Sequence, residues 1–210
     1  IVDSGKFDWA KDPKRQPMLN NPDPSYHGMV WTEFAKAVGP IAYIVRARFV
    51  GLRDLGPALP PQSAFQIIQG LETVSLRMEK HCSNAAKVAE FLSNHNKVSR
   101  VIYAGLDEGE AGERANKYLK GGHGALCGIE LKGGKASGEK FINNLNMFYH
   151  VANIGDARSL AIHPASTTHS QLSDEDMESA GVNPSYVRLS IGIEHIDDII
   201  EDLKNALDAA

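Results

Sequence analysis

One arginine in this chain stands where it could bind an anionic ligand. Residues 186–193 alternate between apolar and polar side chains, which predicts a β-strand with Val187 and Leu189 on one face and Arg188 on the other. A guanidinium can donate two parallel hydrogen bonds to one carboxylate, a geometry that lysine does not provide. The pattern also fits an arginine on a solvated sheet face, so Arg188 is a candidate carboxylate ligand with that alternative open.

Two polar segments before this strand contain the other candidates. Asn153 begins the turn-like sequence Asn-Ile-Gly-Asp, in which Gly155 supplies a permissive backbone. Thr168 lies in a segment interrupted by proline, and its hydroxyl can orient a neighbouring arginine or a cofactor. Its neighbours Ser166 and Thr167 are expected to line the same site. A polar turn, a Pro-broken segment and an arginine in one stretch of sequence suit a site that binds a carboxylate.

The other reactive side chains form no recognisable catalytic or metal motif. His163 and His169 lack a helical metal-binding spacing, so each is predicted to be a packed or surface histidine rather than a ligand. Cys82 and Cys127 belong to no Cys-x-x-Cys pair, which predicts free buried thiols in a reducing compartment. The glycine-rich residues 121–124 are not followed by Gly-Lys-Ser/Thr, so a flexible turn is expected there rather than a phosphate loop.

The overall composition excludes several classes of partner. The 210 residues carry 22 Lys and Arg against 26 Asp and Glu, a net charge of -4, and no basic block. This balance argues against nucleic acid or an anionic membrane. No apolar run approaches the roughly 20 residues that a membrane helix needs, and the first residues do not resemble a signal peptide. A cytoplasmic protein of one generous or two small domains is expected.

The secondary-structure pattern changes after the first ninety residues. Helices are predicted over 41–55 and 63–94, and Gly70 is expected to permit a bend in the second. The apolar stripe of that helix consists of Phe65, Ile68, Leu71, Met78, Cys82, Ala85, Ala89 and Leu92. This part has little strand and cannot easily close a core alone, so it is interpreted as the tail of a larger domain.

Strands and helices alternate in the remainder of the chain. Strands are predicted at 98–103, 126–131, 150–154, 160–163 and 186–193. Helices are predicted at 137–148, with Ser137 as N-cap, from a cap at Ser173 to a stop at Gly181, and at 196–207, with a loop at 105–113. Short links between these elements predict a small α+β domain, a sheet with helices on one face.

Three motifs in this part resemble the Cys/Met-metabolism family of pyridoxal-phosphate (PLP) enzymes. They are Asn-Ile-Gly-Asp-Ala at 153–157, His-Pro-Ala-Ser-Thr-Thr-His at 163–169 and Arg-Leu-Ser-Ile-Gly at 188–192. The first two are most similar to the O-acetylhomoserine sulfhydrylase branch. The resemblance implies an α/β protein of PLP fold type I. Residues 1–92 would be the tail of its large PLP-binding domain, including the long linking helix, and residues 93–210 its small α+β C-terminal domain.

The resemblance also implies roles for the candidate residues. Arg188 would hold the α-carboxylate of the substrate. Asn153 takes the place of a serine that helps to hold the same carboxylate in many relatives, and its contact could come from side chain or backbone. Thr168 matches the threonine of the family's Thr-His pair. Tyr26 and His27 match a loop that follows the cofactor-binding lysine, and no role is implied for them.

The implied reaction is the replacement of acetate in O-acetyl-L-homoserine by sulfide. The product would be L-homocysteine, on the route to methionine, with PLP as the electron sink. No catalytic residue is expected in this chain, because the PLP lysine should lie upstream of Ile1. The N-terminal half of the enzyme and a homotetrameric assembly are therefore expected partners. The alternatives are cystathionine γ-synthase, a cystathionine lyase, methionine γ-lyase, or a non-catalytic fragment that serves as a subunit-interface module.

Overall fold

The computed structural model describes residues 3–210, apart from the side chains of Asp174 and Glu178. The strand-like pair at residues 1 and 2 lies outside the described residues. The chain divides into two compact units, Ile1–Ile68 and Gln69–Ala210.

The first unit is built from short helices around an aromatic cluster. It contains α1 (Pro17–Asn20), α2 (Trp31–Ala35), α3 (Ala42–Arg46), which continues as a π-helix over Ala47–Asp54, and most of α4 (Pro61–Glu72). Trp31 is fully buried at the centre, and the ring of Tyr26 meets it edge-on at 5.0 Å. The Tyr26 hydroxyl donates to Asp54 at 2.8 Å, so in this structure Tyr26 is part of a packed core.

The second unit contains a five-stranded mixed sheet. Its strands are β1 (Val98–Ile102), β2 (Leu126–Leu131), β3 (Tyr149–His150), β4 (Leu160–Ile162) and β5 (Tyr186–Ser190), in the order β1-β2-β5-β4-β3. Only β3 and β4 pair in parallel; the other neighbours are antiparallel. The helices are α5 (Val74–Ser93), α6 (Gly109–Tyr118), α7 (Gly134–Asn144), α8 (Asp174–Ser179) and α9 (Ile196–Ala209).

Three of these helices cover one face of the sheet. The shared core joins α5, α7 and α9 to β2 and β5 through the buried residues Ala85, Val88, Leu92, Phe141, Ile142, Ile199, Leu203, Leu207, Cys127, Ile129, Leu131, Val187, Leu189 and Ile191. Burial of this much apolar surface is the main force that holds helices and sheet together. The predicted sheet with helices on one face is confirmed, and the strand alternation leaves the polar side chains on the opposite, open face.

The long helix predicted over 63–94 is two helices. The chain leaves helical geometry at Thr73 (φ −114°, ψ 7°), three residues beyond the glycine expected to permit a bend. The predicted apolar stripe is buried at Ala85, Ala89 and Leu92, whereas its members on α4 are exposed. Helix α5 packs into the core of the second unit, and the division between the two compact units follows Ile68, within α4.

Two other predictions in this unit were wrong. The expected loop at 105–113 contains the start of α6, in which Gly112 is required because an added Cβ would overlap the Asp107 carbonyl oxygen. Helix α7 begins at Gly134, and the Ser137 hydroxyl donates to the Lys132 carbonyl instead of capping the helix. By contrast, Ser173 does cap α8, since its hydroxyl accepts from the backbone N–H of Asp176 at 3.2 Å.

The strand expected at 150–154 is also shorter than predicted. Only Tyr149 and His150 pair with β4, and the described chain from 152 to 158 is an exposed loop. Residues 153–159 contact β5 and the chain that follows it, and they are called the 153–159 loop below. This loop contains the candidate residue Asn153.

Candidate functional site

A cavity of about 550 Å³ lies on the open face of the sheet. It is formed within the second unit by side chains from β1, β2, β4 and β5 and by the segments on either side of α8. The lining residues are Arg100, Ile102, Glu130, Ala152, Ile162, Pro164, Thr168, His169, Gly181, Val182, Asn183, Tyr186 and Arg188. Two of the three predicted site residues, Arg188 and Thr168, therefore face the same space.

Arg188 occupies the middle of the central strand β5. Its register partners are Gly128 on β2 and Ile162 on β4. Gly128 has no side chain, and the space beside it is taken by the ring of Tyr186, which would lie 2.5 Å from an added Cβ. Val187 and Leu189 are fully buried on the other face, so the alternation predicted from the sequence is confirmed and Arg188 points toward the cavity.

The guanidinium of Arg188 is bound by a neutral partner. Its Nη2 donates to the carbonyl oxygen of Asn153 at 3.3 Å. Among the described residues, the other cavity arginine, Arg100, is paired with Glu130 at 3.6 Å, and Arg188 takes part in no ion pair. A half-buried guanidinium with several free N–H donors and no carboxylate partner can bind an anion by donating hydrogen bonds to it.

Asn153 reaches this site through its backbone. The carbonyl oxygen accepts from Arg188, whereas the residue itself is exposed at the start of the 153–159 loop. Gly155 follows with φ +75°, and its backbone N–H donates to the hydroxyl of Ser190 at 3.2 Å. The structure thus brings Asn153 and Arg188 together, and in this geometry the asparagine carbonyl orients the arginine.

Thr168 lines the same cavity beside His169. Its hydroxyl is 2.9 Å from Nδ1 of His169, and both residues are on the cavity wall. The neighbours expected to line the site do not: Ser166 and Thr167 turn inward, to the side chain and the backbone carbonyl of His163 respectively.

His163 is a buried structural residue, as predicted. Its Nδ1 lies 2.8 Å from the Ser166 hydroxyl and its Nε2 lies 2.8 Å from the Pro184 carbonyl. Burial lowers the pKa of His163 below its ordinary value, which keeps the ring neutral with the proton on Nε2. No group of three or more His, Cys, Asp or Glu side chains is arranged to hold a metal ion in the described part of the chain.

Two charged cavity residues, Arg100 and Glu130, were not predicted from the sequence. Arg100, Glu130 and Tyr186 face the open side of β1, β2 and β5 in the same alternation that places Arg188 there. Burial raises the pKa of Tyr186, and the nearby guanidinium of Arg188 acts in the opposite direction. The strand period could have identified Arg100 and Glu130, but only once the strand order placed the three strands side by side.

The two cysteines lie outside this cavity wall. Cys127 is buried in β2, and desolvation raises the pKa of its thiol to about 12. Cys82 is half-buried on α5, and both thiols are free. A thiol whose pKa is raised by burial is a poor nucleophile, because the thiolate is the reactive form.

This geometry defines a protein with a mixed sheet whose open face carries a cavity, and the Arg188 guanidinium in that cavity forms no ion pair with the described residues. Comparison with known proteins shows the family to which this fold belongs. The family model for the Cys/Met metabolism PLP-dependent enzyme matches residues 4–208. The chain belongs to this family, which confirms the resemblance seen in its motifs.

Two relatives are about 50% identical to this chain, and the match spans about half of their length. An O-acetyl-L-homoserine sulfhydrylase from Leptospira meyeri is 51% identical over 99% of the chain, and a homocysteine synthase from Schizosaccharomyces pombe is 49% identical over all of it. In both cases the match spans 48% of the relative, so the chain covers about half the length of these proteins.

A solved structure supports the same fold. It is described as an O-acetylhomoserine (thiol)-lyase from Campylobacter jejuni with N'-pyridoxyl-lysine-5'-monophosphate at position 205. The match has a TM-score of 0.78 at 42% identity and covers 94% of this chain and 46% of that one. The α/β fold is thus that of part of a PLP-dependent enzyme of fold type I. In residues 3–210, no helix is both long and apolar enough to cross a membrane.

Proposed function

We propose that this chain is the C-terminal part of an O-acetyl-L-homoserine sulfhydrylase. The enzyme would replace acetate at the γ-carbon of O-acetyl-L-homoserine by sulfide and release L-homocysteine, a step of methionine biosynthesis. The observation that supports a role in substrate binding is the guanidinium of Arg188, which faces a cavity and has no carboxylate partner among the described residues. The names and identities of the relatives support the particular reaction.

In this proposal the chain contributes the carboxylate side of the site. Arg188 binds the α-carboxylate, the backbone carbonyl of Asn153 orients the guanidinium, and Thr168 lines the same cavity. Holding the substrate by its carboxylate fixes where the γ-carbon lies relative to the attacking sulfide. PLP, when bound, supplies the electron sink for the reaction.

The cofactor itself fits the described cavity poorly. None of the described residues that line it is a lysine, the residue to which PLP binds covalently in this fold, whereas an arginine suited to a carboxylate is present. We propose, from the resemblance to the family, that the PLP lysine lies in the N-terminal half of the enzyme, outside this chain. The domain assignment of residues 1–92 and 93–210 within the whole enzyme is part of the same proposal.

Two further features of the assembly belong to the proposal. Helix α4 exposes Phe65, Ile68 and Leu71, each with more than half of its surface accessible. An exposed apolar face of this kind suits a contact with the N-terminal half or with another subunit of a homotetramer. The free cysteines fit a reducing cytoplasm.

The test is the substitution Arg188→Lys in the PLP-loaded enzyme. Lysine keeps the charge and loses the bidentate geometry, so the transition state should lose about 1–3 kcal/mol of stabilisation. The value of kcat/KM for O-acetyl-L-homoserine should therefore fall roughly 5- to 150-fold. The visible absorbance of bound PLP should not change. Arg114→Lys, on the exposed surface of α6, is the matched control and should leave kcat/KM unchanged.

An unchanged kcat/KM in Arg188→Lys would contradict the carboxylate assignment. A substrate panel separates the related activities, because cystathionine γ-synthase, the cystathionine lyases and methionine γ-lyase differ in leaving group and nucleophile. Turnover with sulfide and O-acetyl-L-homoserine supports the sulfhydrylase; turnover of cystathionine or methionine instead would support those relatives.

A further inference from the structure

The chain that follows β5 is joined to the 153–159 loop by hydrogen bonds between the half-buried carboxylate of Glu194 and Ser159. Glu194 accepts from the backbone N–H of Ser159 at 2.6 Å and from its hydroxyl at 3.0 Å. The same hydroxyl accepts from the backbone N–H of Gly192 at 2.9 Å, and Ser159 is fully buried. The Ser159 hydroxyl therefore both donates and accepts a hydrogen bond, and the Glu194 carboxylate binds both the backbone N–H and the hydroxyl of Ser159.

This pair is the last of a series of links between the loop and the strand. Residue 153 is linked to 188, residue 155 to 190, residue 157 to 193 and residue 159 to both 192 and 194. Most of these bonds involve a side chain, because the loop is not a strand and forms no ladder with β5. The position of the Asn153 carbonyl, which binds Arg188, depends on these links.

Helix α5 holds the other side of the same segment. Nδ1 of His81 lies 2.6 Å from the Ile191 carbonyl oxygen, and the Asn84 amide donates to the carbonyls of Gly192 and Glu194 at 3.0 and 2.9 Å. His81 and Asn84 are buried. The segment 191–194 is thus fixed to α5, and it can serve as a rigid anchor for the loop.

The fit at this anchor is close. A Cβ added to Gly192 would lie 2.5 Å from the Ala157 carbonyl oxygen and 2.5 Å from the Ser159 nitrogen. Glu194 takes part in no ion pair formed by the described residues, so its charge is balanced by donors of the loop. Charge-assisted hydrogen bonds of this kind are about twice as strong as neutral ones.

We infer that Glu194 and Ser159 are positioning residues of the substrate site. They fix the 153–159 loop against the end of β5, so that the Asn153 carbonyl holds the Arg188 guanidinium in the orientation that receives the α-carboxylate. This inference rests on the proposed function of Arg188. Neither residue touches the substrate, and both act through the arginine.

The test compares Glu194→Gln with Arg188→Lys, alone and combined, in the PLP-loaded enzyme. Glutamine keeps the size of the side chain, but it removes the charge and one of the two acceptors. We expect kcat/KM for O-acetyl-L-homoserine to fall between about tenfold and a hundredfold, chiefly through KM, since small displacements of binding groups have effects of that size. Glu201→Gln, exposed on α9, is the matched control and should behave as the parent enzyme.

Trypsin provides a measurement that does not depend on activity. Arg158 lies in the exposed loop, with its guanidinium over the ring of Tyr149 at 4.7 Å. Release of the loop should make cleavage after Arg158 several-fold faster in Glu194→Gln than in the control. Ser159→Ala removes the hydroxyl of the same pair and should reproduce both effects, so it replaces Glu194→Gln if that variant does not fold.

The combined variant distinguishes the possible failures. If Glu194 acts through Arg188, the two substitutions together should cost little more than Arg188→Lys alone. Multiplicative effects, or an unchanged rate of cleavage after Arg158, would overturn the positioning role while leaving the carboxylate assignment intact. If Arg188→Lys has no effect by itself, the proposed function of Arg188 fails first, and the positioning role fails with it.

Discussion

Gly138 lies on α7 against the buried imidazole of His163, and adding one methyl group there should destabilise the second unit. A Cβ built at Gly138 overlaps Nε2 of His163 and lies 2.6 Å from Cδ2 and 3.0 Å from Cε1. The ring is fully buried and bound on both sides, at Pro184 and at Ser166. To restore van der Waals contact the ring or the helix must move by roughly 1 Å, which breaks the bond from Nε2 to Pro184.

The size of the effect follows from three contributions. Overpacking a filled core costs about 1–3 kcal/mol. Loss of the hydrogen bond to Pro184 costs about 1 kcal/mol more. Replacing a helical glycine by alanine returns about 1 kcal/mol of helix propensity. We therefore expect Gly138→Ala to lower the free energy of unfolding by about 2 kcal/mol.

The measurement is urea unfolding followed by circular dichroism, with Gly70→Ala as the matched control. Gly70 is also helical, on α4, and no atom lies within 4 Å of an added Cβ. That substitution should leave the stability unchanged or raise it by up to about 1 kcal/mol. If Gly138→Ala were as stable as the parent protein, the close contact between α7 and His163 would be refuted.

Three further predictions concern the second unit. Asp202 accepts from the backbone N–H groups of Asn146, Met147 and Phe148 at 2.9, 3.0 and 3.4 Å, so Asp202→Asn should cost about 2–3 kcal/mol in urea unfolding. The exposed Asp208→Asn on the same helix should cost almost nothing, and equal losses would show that these bonds do not anchor the end of α7. Because the pKa of the Cys127 thiol is raised to about 12, a thiol reagent at neutral pH should not modify it in the folded protein. Replacing Cys82 and Cys127 together by Ser and Ala should keep kcat/KM within about twofold; loss of turnover in a folded variant would reveal a nucleophile.

Several features could be predicted from the sequence because they depend on near neighbours along the chain. The two-residue period of β5 places Arg188 on the face opposite Val187 and Leu189, and no distant contact changes that. The cap at Ser173, the stop at Gly181 and the amphipathic α9 are local in the same sense. The motifs at 153–157 and 188–192 identified the family for the same reason, since each is a short run of residues.

Other elements depend on contacts that no local pattern contains. Gly109 and Gly112 are typical of a loop, yet both lie in α6. Residue 112 is a glycine because the Asp107 carbonyl leaves no room for a Cβ there, and this contact cannot be read from the local sequence. The break at Thr73 instead of at Gly70 likewise has no counterpart in the hydrophobic period. Propensity is a weak guide where packing decides the outcome.

The family, the fold class and the identity of the arginine that we propose as the carboxylate ligand could be inferred from the amino-acid sequence alone. The contacts that hold this arginine could be seen only in the three-dimensional structure. The Asn153 carbonyl lies 35 residues from Arg188, the Ser159–Glu194 pair spans 35 residues, and Asn84 reaches Gly192 across 108. These atoms meet because burial of the apolar face of the sheet against α5, α7 and α9 fixes the end of β5. The hydrophobic effect that drives this burial is non-directional, so it does not specify which polar groups are brought together.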